Sequence, residues 1–210
     1  MRLQLAIDVL TSEEALRLAQ EARKYIDIIE IGTPLIKHEG VRLVSLMKAL
    51  FPDKTLLVDL KSMDVGEYEA DFCFEAGADI VTVLGAADLR TIEGTIRSAK
   101  KHHGEVVVDM ISVEDKVSRA REVRKLGADY VGIHSGIDQQ NAGHSPLEDL
   151  KLLSGKVDIP LAVAGGINLE TLDEIVRYDP EIVVVGGAIT GAKNPKKMAK
   201  KIAKRLRKHG

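Results

Sequence analysis

At 210 residues with 45% hydrophobic side chains, the chain is long enough to bury a sizeable core within one domain. Thirty basic against thirty-two acidic residues leave a formal charge of −2. That balance excludes the global positive field that gathers nucleic acid or anionic lipid, so no nucleic-acid or membrane partner is expected and a small molecule is. Cys73 has no second cysteine to pair with, and the run "MRLQLAIDVL" is too short for a signal peptide or membrane span, so a cytoplasmic protein is expected.

The first apolar run, "LQLAIDV" from near Leu3, leads into "TSEEALRLAQEARKY". There a Thr or Ser cap and an acidic first turn precede Ala15, Leu18, Ala19 and Ala22 on one helical stripe. Further strands are read in "IDIIEIG" near Ile26, "TLLVDLK" near Thr55, "DIVTVLG" near Asp79 and "EVVVDMIS" near Glu105. "YVGIH" near Tyr130, "IPLAVAGG" near Ile159 and "EIVVVGGAI" near Glu181 complete the set. Several are hydrophobic almost throughout, the signature of parallel strands covered on both faces. The helical patterns "VGEYEADFCFEAG" and "KVSRAREVRKLG" each end in Gly, a common helix terminator. In "NPKKMAKKIAKRLRKHG", Met198, Ala199, Ile202, Ala203 and Leu206 form an apolar stripe with the lysines turned outward, as in a last outer helix. Eight strand-helix units without a Gly-x-Gly-x-x-Gly turn after the first strand predict an α/β protein, a (β/α)8 TIM barrel, as a single domain over residues 1–210.

Chemistry in such a barrel sits at the C-terminal ends of the strands. Standing there are Asp8, Glu30, Asp59, Lys61, Asp109 and His134, with Asp64 in the loop beyond the third strand. Asp8 alone serves equally as a helix cap or turn residue. Glu30 lies inside a buried run, where a carboxylate is costly unless a cation or donor meets it. Asp59 and Lys61 are two apart, so one extended strand turns both to the same side; the plain alternative is a structural salt bridge. Two carboxylates with room for water suit Mg²⁺, while no Cys/His cluster suggests zinc. His134 in "GIHSG" is placed as a general base at the mouth, whereas His102, His103 and His209 lie in charged helix ends without a chemical role. The pairs Gly165–Gly166 and Gly186–Gly187 end the last two strands, where barrels often build a phosphate site from close-approaching backbone N–H groups.

The spacing Asp59-x-Lys61-x-x-Asp64 matches the signature of the orotidine 5'-monophosphate decarboxylase suprafamily. Within it the chain resembles the 3-hexulose-6-phosphate synthase family over essentially its whole length, in "LAIDVL", "IDIIEIGTPLIKHEG", "KSMDVGEYEAD", "GADIVTVLGAAD", "VVVDMI" and "VVGGAITGA". The resemblance implies a reversible, Mg²⁺-dependent aldol reaction. Formaldehyde joins D-ribulose 5-phosphate through an enediolate to give D-arabino-3-hexulose 6-phosphate. It also implies roles: Glu30 and Asp59 as metal ligands, His134 as base, Lys61 at the developing oxyanion, and Asp8 and Asp109 positioning the substrate hydroxyls and the lysine. Asp64 would enter the active site of a partner subunit, making a homodimer with shared sites; its local alternative is a cap on the helix starting near Val65. The sister family, 3-keto-L-gulonate 6-phosphate decarboxylase, carries arginine where this chain has Ile137 and Ala188, and glutamate where it has Asp109. Those departures weaken the decarboxylase reading and leave phosphate to backbone donors. A sugar-phosphate isomerase or epimerase and a non-catalytic barrel scaffold are the further alternatives.

Overall fold

A computed structural model describes residues 1–208; His209 lies outside them. Eight parallel strands close in chain order into a barrel: β1 (Arg2–Ile7), β2 (Ile28–Ile31), β3 (Thr55–Ser62), β4 (Ile80–Leu84), β5 (Glu105–Asp109), β6 (Tyr130–His134), β7 (Leu161–Ala164) and β8 (Ile182–Val185). Helices α1 (Ser12–Ala22), α2 (Thr33–Glu39), α3 (Arg42–Leu50), α4 (Gly66–Glu75), α5 (Leu89–His102) and α6 (Lys116–Leu126) cover the first half. They are followed by α7 (Ile137–Asn141), α8 (Pro146–Leu153), α9 (Leu172–Ile175), α10 (Gly187–Thr190) and α11 (Pro195–Leu206). The expected (β/α)8 barrel is therefore the fold, with short additional helices in the loops after β2, β6 and β8.

Strand alternation explains the hydrophobic runs. On β5, Val106 and Val108 pack in the layer between barrel and helices, while Val107 faces the barrel axis with Ile28, Leu57, Ile80, Tyr130, Ile182 and Val184. Thr11 caps α1 by accepting from the Glu14 N–H, and the predicted stripe Ala15, Leu18, Ala19, Ala22 is fully buried. Burying Leu18 alone stabilises the helix's seat by roughly 1.5–3 kcal/mol. Gly127 ends α6 with φ 98, as the sequence suggested. On α11 the lysines face outward and Ala199, Ile202, Ala203 and Leu206 are buried; Met198 is only half-buried.

At the N-terminal end of the barrel, strands are latched in pairs by aspartates. Asp27, immediately before β2, accepts the N–H of Leu3 on β1 at 2.8 Å. Asp79, before β4, accepts that of Leu56 on β3 at 2.7 Å, and Asp129, before β6, that of Val106 on β5 at 2.8 Å. At the opposite end β3 departs from regular geometry. Val58 pairs with Val81 but Ser62 with Val83, and Lys61 takes a left-handed φ of 49. Conformations of that kind cost about 1–3 kcal/mol and concentrate at functional sites.

Among the described residues, no helix is long and apolar enough to cross a membrane.

Candidate active site

The C-terminal mouth encloses a cavity of about 910 Å³. Asp8, Glu30, Asp59, Lys61, Asp109 and His134 all line it, as do Gly165, Gly166, Gly186 and Gly187. Ala6, Gly132 and Ala162 carry little or no side chain, so the cavity reaches down to Gln4, Leu57, Val107 and Val184 inside the barrel.

One hydrogen-bonded chain crosses this mouth from β3 to β6. The Asp59 Oδ2 accepts from the Lys61 ammonium at 2.6 Å and from the Thr33 hydroxyl at 2.8 Å, and its Oδ1 accepts from Thr82 Oγ1 at 2.7 Å. Lys61 Nζ also donates to Asp109 Oδ2 at 3.0 Å, which lies 2.8 Å from His134 Nδ1. The expectation that Asp59 and Lys61 share a side holds, though not by simple alternation. The irregular turn at Lys61 is fixed by its own N–H donating to Thr82 Oγ1 at 3.0 Å, so Thr82 steadies both residues.

The electrostatics follow from this geometry. Burial opposes the charge of Lys61, but Asp59 and Asp109 overcome it and raise its pKa, so the side chain is a fixed cation. Burial likewise opposes ionisation of Asp109, yet His134 and Lys61 hold its carboxyl down at about 2. Asp8 makes no side-chain hydrogen bond or ion pair among the described residues, and withdrawal from solvent together with nearby Asp59 outweighs the pull of Lys61 and His134 and raises its pKa. Room for its carboxylate exists because residue 32 is glycine; a Cβ there would stand 2.1 Å from Asp8 Oδ1.

Glu30 is the electrostatic exception. It is buried on β2, and among the described residues no cationic side chain forms an ion pair with it. Its Oε2 accepts from Gln4 Nε2 at 2.6 Å. Burial and the neighbouring Asp59 raise its pKa despite that bond. No group of three or more His, Cys, Asp and Glu able to hold a metal occurs among the described residues, which argues against an all-protein cage. A pair of carboxylates with open space for water is the donor set Mg²⁺ accepts, and an uncompensated buried carboxylate fits such an ion.

The glycine pairs differ in what they do. Gly165 and Gly166 have φ of 114 and 64, and a Cβ on Gly165 would stand 2.4 Å from the Ser135 carbonyl oxygen. A Cβ on Gly187 would meet nothing within 4 Å, so hydrogen there leaves the mouth open rather than relieving a clash.

Asp64 is outside its own mouth. It is exposed and, among the described residues, accepts only the N–H of Val65, at 2.8 Å. The local alternative of a cap on the following helix is not what it does: α4 starts at Gly66 after a left-handed Val65 and has no side-chain cap. Around it Met63, Val65 and Tyr68 are more than half exposed, and Tyr68 meets Phe72 edge-on with ring centres 5.8 Å apart. Of the histidines set aside, His102 bonds Asp71 at 3.1 Å and stacks on Phe74, and His103 takes the left-handed position that ends α5.

Sequence reasoning missed Gln4, Thr33 and Thr82. Gln4 and Thr82 carried a usable signal, since each is a polar residue at an axis-facing position of an otherwise apolar strand. Thr33 had none, because a threonine opening a helix reads as a cap.

The sequence pattern of the Orotidine 5'-phosphate decarboxylase / HUMPS family matches residues 1–202. The chain belongs to that family. Among its relatives is a protein of Mycobacterium gastri named 3-hexulose-6-phosphate synthase, 47% identical over 202 residues that span 96% of this chain and 98% of the relative. The crystal structure of 3-hexulose-6-phosphate synthase from Salmonella typhimurium superposes with a TM-score of 0.98 at 43% identity, covering 100% of both chains. A more distant member, 3-keto-L-gulonate-6-phosphate decarboxylase from Vibrio cholerae, gives 0.88 at 27% identity over 100% of this chain and 98% of that one.

Proposed function

We propose that this family member joins formaldehyde to D-ribulose 5-phosphate, reversibly, in an Mg²⁺-dependent aldol reaction giving D-arabino-3-hexulose 6-phosphate. The observation that carries this reading is the tie between His134 Nδ1 and Asp109, which leaves Nε2 as the ring nitrogen open to substrate beside a fixed lysine. His134 takes the proton from the carbon next to the ketose carbonyl at Nε2. Lys61 donates to the oxygen on which charge develops. Asp109 holds both groups, and Asp8 binds substrate hydroxyls. The enediolate carbon then forms its bond to formaldehyde as the aldehyde's C=O π bond opens, and the resulting alkoxide takes the proton back from His134. Glu30 and Asp59 would hold Mg²⁺, which when bound supplies an electrophile for the carbonyl and adjacent hydroxyl oxygens. Gly165, Gly166, Gly186 and Gly187 receive the phosphate through backbone N–H groups, consistent with the sugar phosphates for which the relatives are named. Purified protein with D-ribulose 5-phosphate, formaldehyde and Mg²⁺ should consume formaldehyde; no consumption under these conditions rejects the reading.

Metal dependence has a sign as well as a presence. EDTA should abolish turnover and Mg²⁺ restore it. Because the folded pKa of Glu30 is raised, its contribution to stability is present at low pH and lost as pH rises through that value. Metal-free protein should therefore melt at lower temperature on the alkaline side, Mg²⁺ should reverse the loss, and Glu30→Gln should abolish the reversal without unfolding the protein. Full activity in chelator would remove the metal from the proposal.

The choice between sister reactions rests on Ile137, which lines the mouth yet has no polar group to offer. Decarboxylation of 3-keto-L-gulonate 6-phosphate should accordingly show a lower kcat/KM than formaldehyde addition, and the opposite order would exchange the two assignments. The phosphate site has its own test in Gly187→Ala. The added methyl enters open space, so the variant should melt like the parent while KM for ribulose 5-phosphate rises several-fold. An unchanged KM would move the phosphate elsewhere.

The exposed apolar surface around Asp64 supports a homodimer in which each copy sends that carboxylate into the other's mouth.

A further inference from the structure

The cavity extends below the ring of charged residues, and one polar side chain faces that depth. Gln4 sits on β1 between Leu3 and Leu5, which pack toward the helices, so its own side chain faces the barrel axis. It is 4% exposed and borders the mouth cavity. Its amide nitrogen donates to Glu30 at 2.6 Å, while its Oε1 is wholly buried and has no hydrogen-bond partner among the described residues. An apolar side chain at this position would avoid stranding that oxygen, and the surrounding layer of Ala6, Leu57, Ala162 and Val184 is otherwise apolar. Buried polar atoms are normally paired with protein or with water, and a cavity that already reaches Gln4 admits water.

We propose that Gln4 completes the cation site from beneath: its amide N–H fixes the Glu30 carboxylate for the ion, and its carbonyl oxygen accepts a hydrogen bond from a water molecule that the ion retains. This rests on the metal reading given above. Mg²⁺ and Mn²⁺ keep several waters when protein supplies few oxygens, and those waters need acceptors. Outer partners of metal ligands commonly change affinity by 10–100-fold when removed. Gln4 is thus a positioning residue, acting through Glu30 and through water rather than on substrate.

The test is Mn²⁺ binding to the full-length, metal-free protein, followed by electron paramagnetic resonance without substrate. Gln4→Met keeps the side-chain length but removes donor and acceptor. It should raise the Mn²⁺ Kd by about 10–100-fold. In a Glu30→Gln background the same change should cost a clearly smaller factor, because the carboxylate it positions is gone and only its bond to the ion's water is left to lose. A general structural role would weaken binding equally in both backgrounds, and that outcome overturns the proposal. So does a Kd within twofold of wild type for Gln4→Met while wild type binds Mn²⁺. Failure of wild type to bind Mn²⁺ overturns the metal reading itself and this inference with it. Should Gln4→Met not fold, Gln4→Asn, one methylene too short to keep the Glu30 bond, takes its place with the same expected losses.

Discussion

His134→Asn should abolish exchange of the ribulose 5-phosphate C1 proton with solvent and lower kcat by about 10²–10⁴-fold. The exchange is the sharper readout, since it reports proton removal before any aldehyde is present and can be followed by deuterium incorporation. The expected size comes from the geometry. Asp109 Oδ2, 2.8 Å from Nδ1, orients the ring, and Lys61 bonds the same oxygen at 3.0 Å, so the base is held beside the cation that receives the developing charge. An asparagine side chain in place of imidazole can occupy similar space and hydrogen-bond, but it cannot take a proton near neutral pH. KM should therefore change much less than kcat. Exchange persisting at the wild-type rate would assign the base to another group. Asp8, whose raised pKa and place in the same mouth make it the next carboxylate to examine, would be the first candidate.

The second large effect is a recovery. Asp64→Ala and Lys61→Ala should each be inactive alone, and mixing them under conditions that allow subunit exchange should restore about a quarter of wild-type activity at random pairing. Half of the dimers are then mixed, and each mixed dimer has one site carrying both defects and one intact. The prediction follows from Asp64 standing outside the cavity that its neighbour Lys61 lines. The left-handed Val65 turns the chain immediately after it, and a β-branched residue is unusual in that conformation. If Asp64 acts only locally, every site in the mixture stays defective. No recovery in dimers shown to be mixed would exclude the shared-site arrangement.

The fold was legible because its signal is periodic. Each strand run was long, apolar and followed by a helix with its own stripe, and boundaries missed by a residue or two, such as Ile26 against Ile28, left the topology unchanged. The ring of charged residues was legible for a related reason: once the strands are placed, their last residues are the mouth. What could not be read was who bonds whom. That Asp109 serves Lys61 and His134 together depends on β3, β5 and β6 meeting across the barrel, a distance relation with no trace in local spacing. The irregularity at Lys61 was equally hidden, because a left-handed lysine has no sequence mark comparable to glycine's. Gln4 was passed over as one polar letter in a strand, although an amide pointing to a barrel axis must find partners there.

The aspartate latches give the barrel a modular grain. Asp27, Asp79 and Asp129 bind β1 to β2, β3 to β4, and β5 to β6, whereas among the described residues no such carboxylate ties β2 to β3 or β4 to β5. A chimera of two family members joined in the loop before Thr55 or before Glu105 would inherit every latch from one parent. A junction in the loops that lead into Asp27, Asp79 or Asp129 would ask an aspartate to meet a strand it did not evolve beside. The seams for recombination thus lie in the loops that lead into β3 and β5, at the end of the barrel remote from the chemistry.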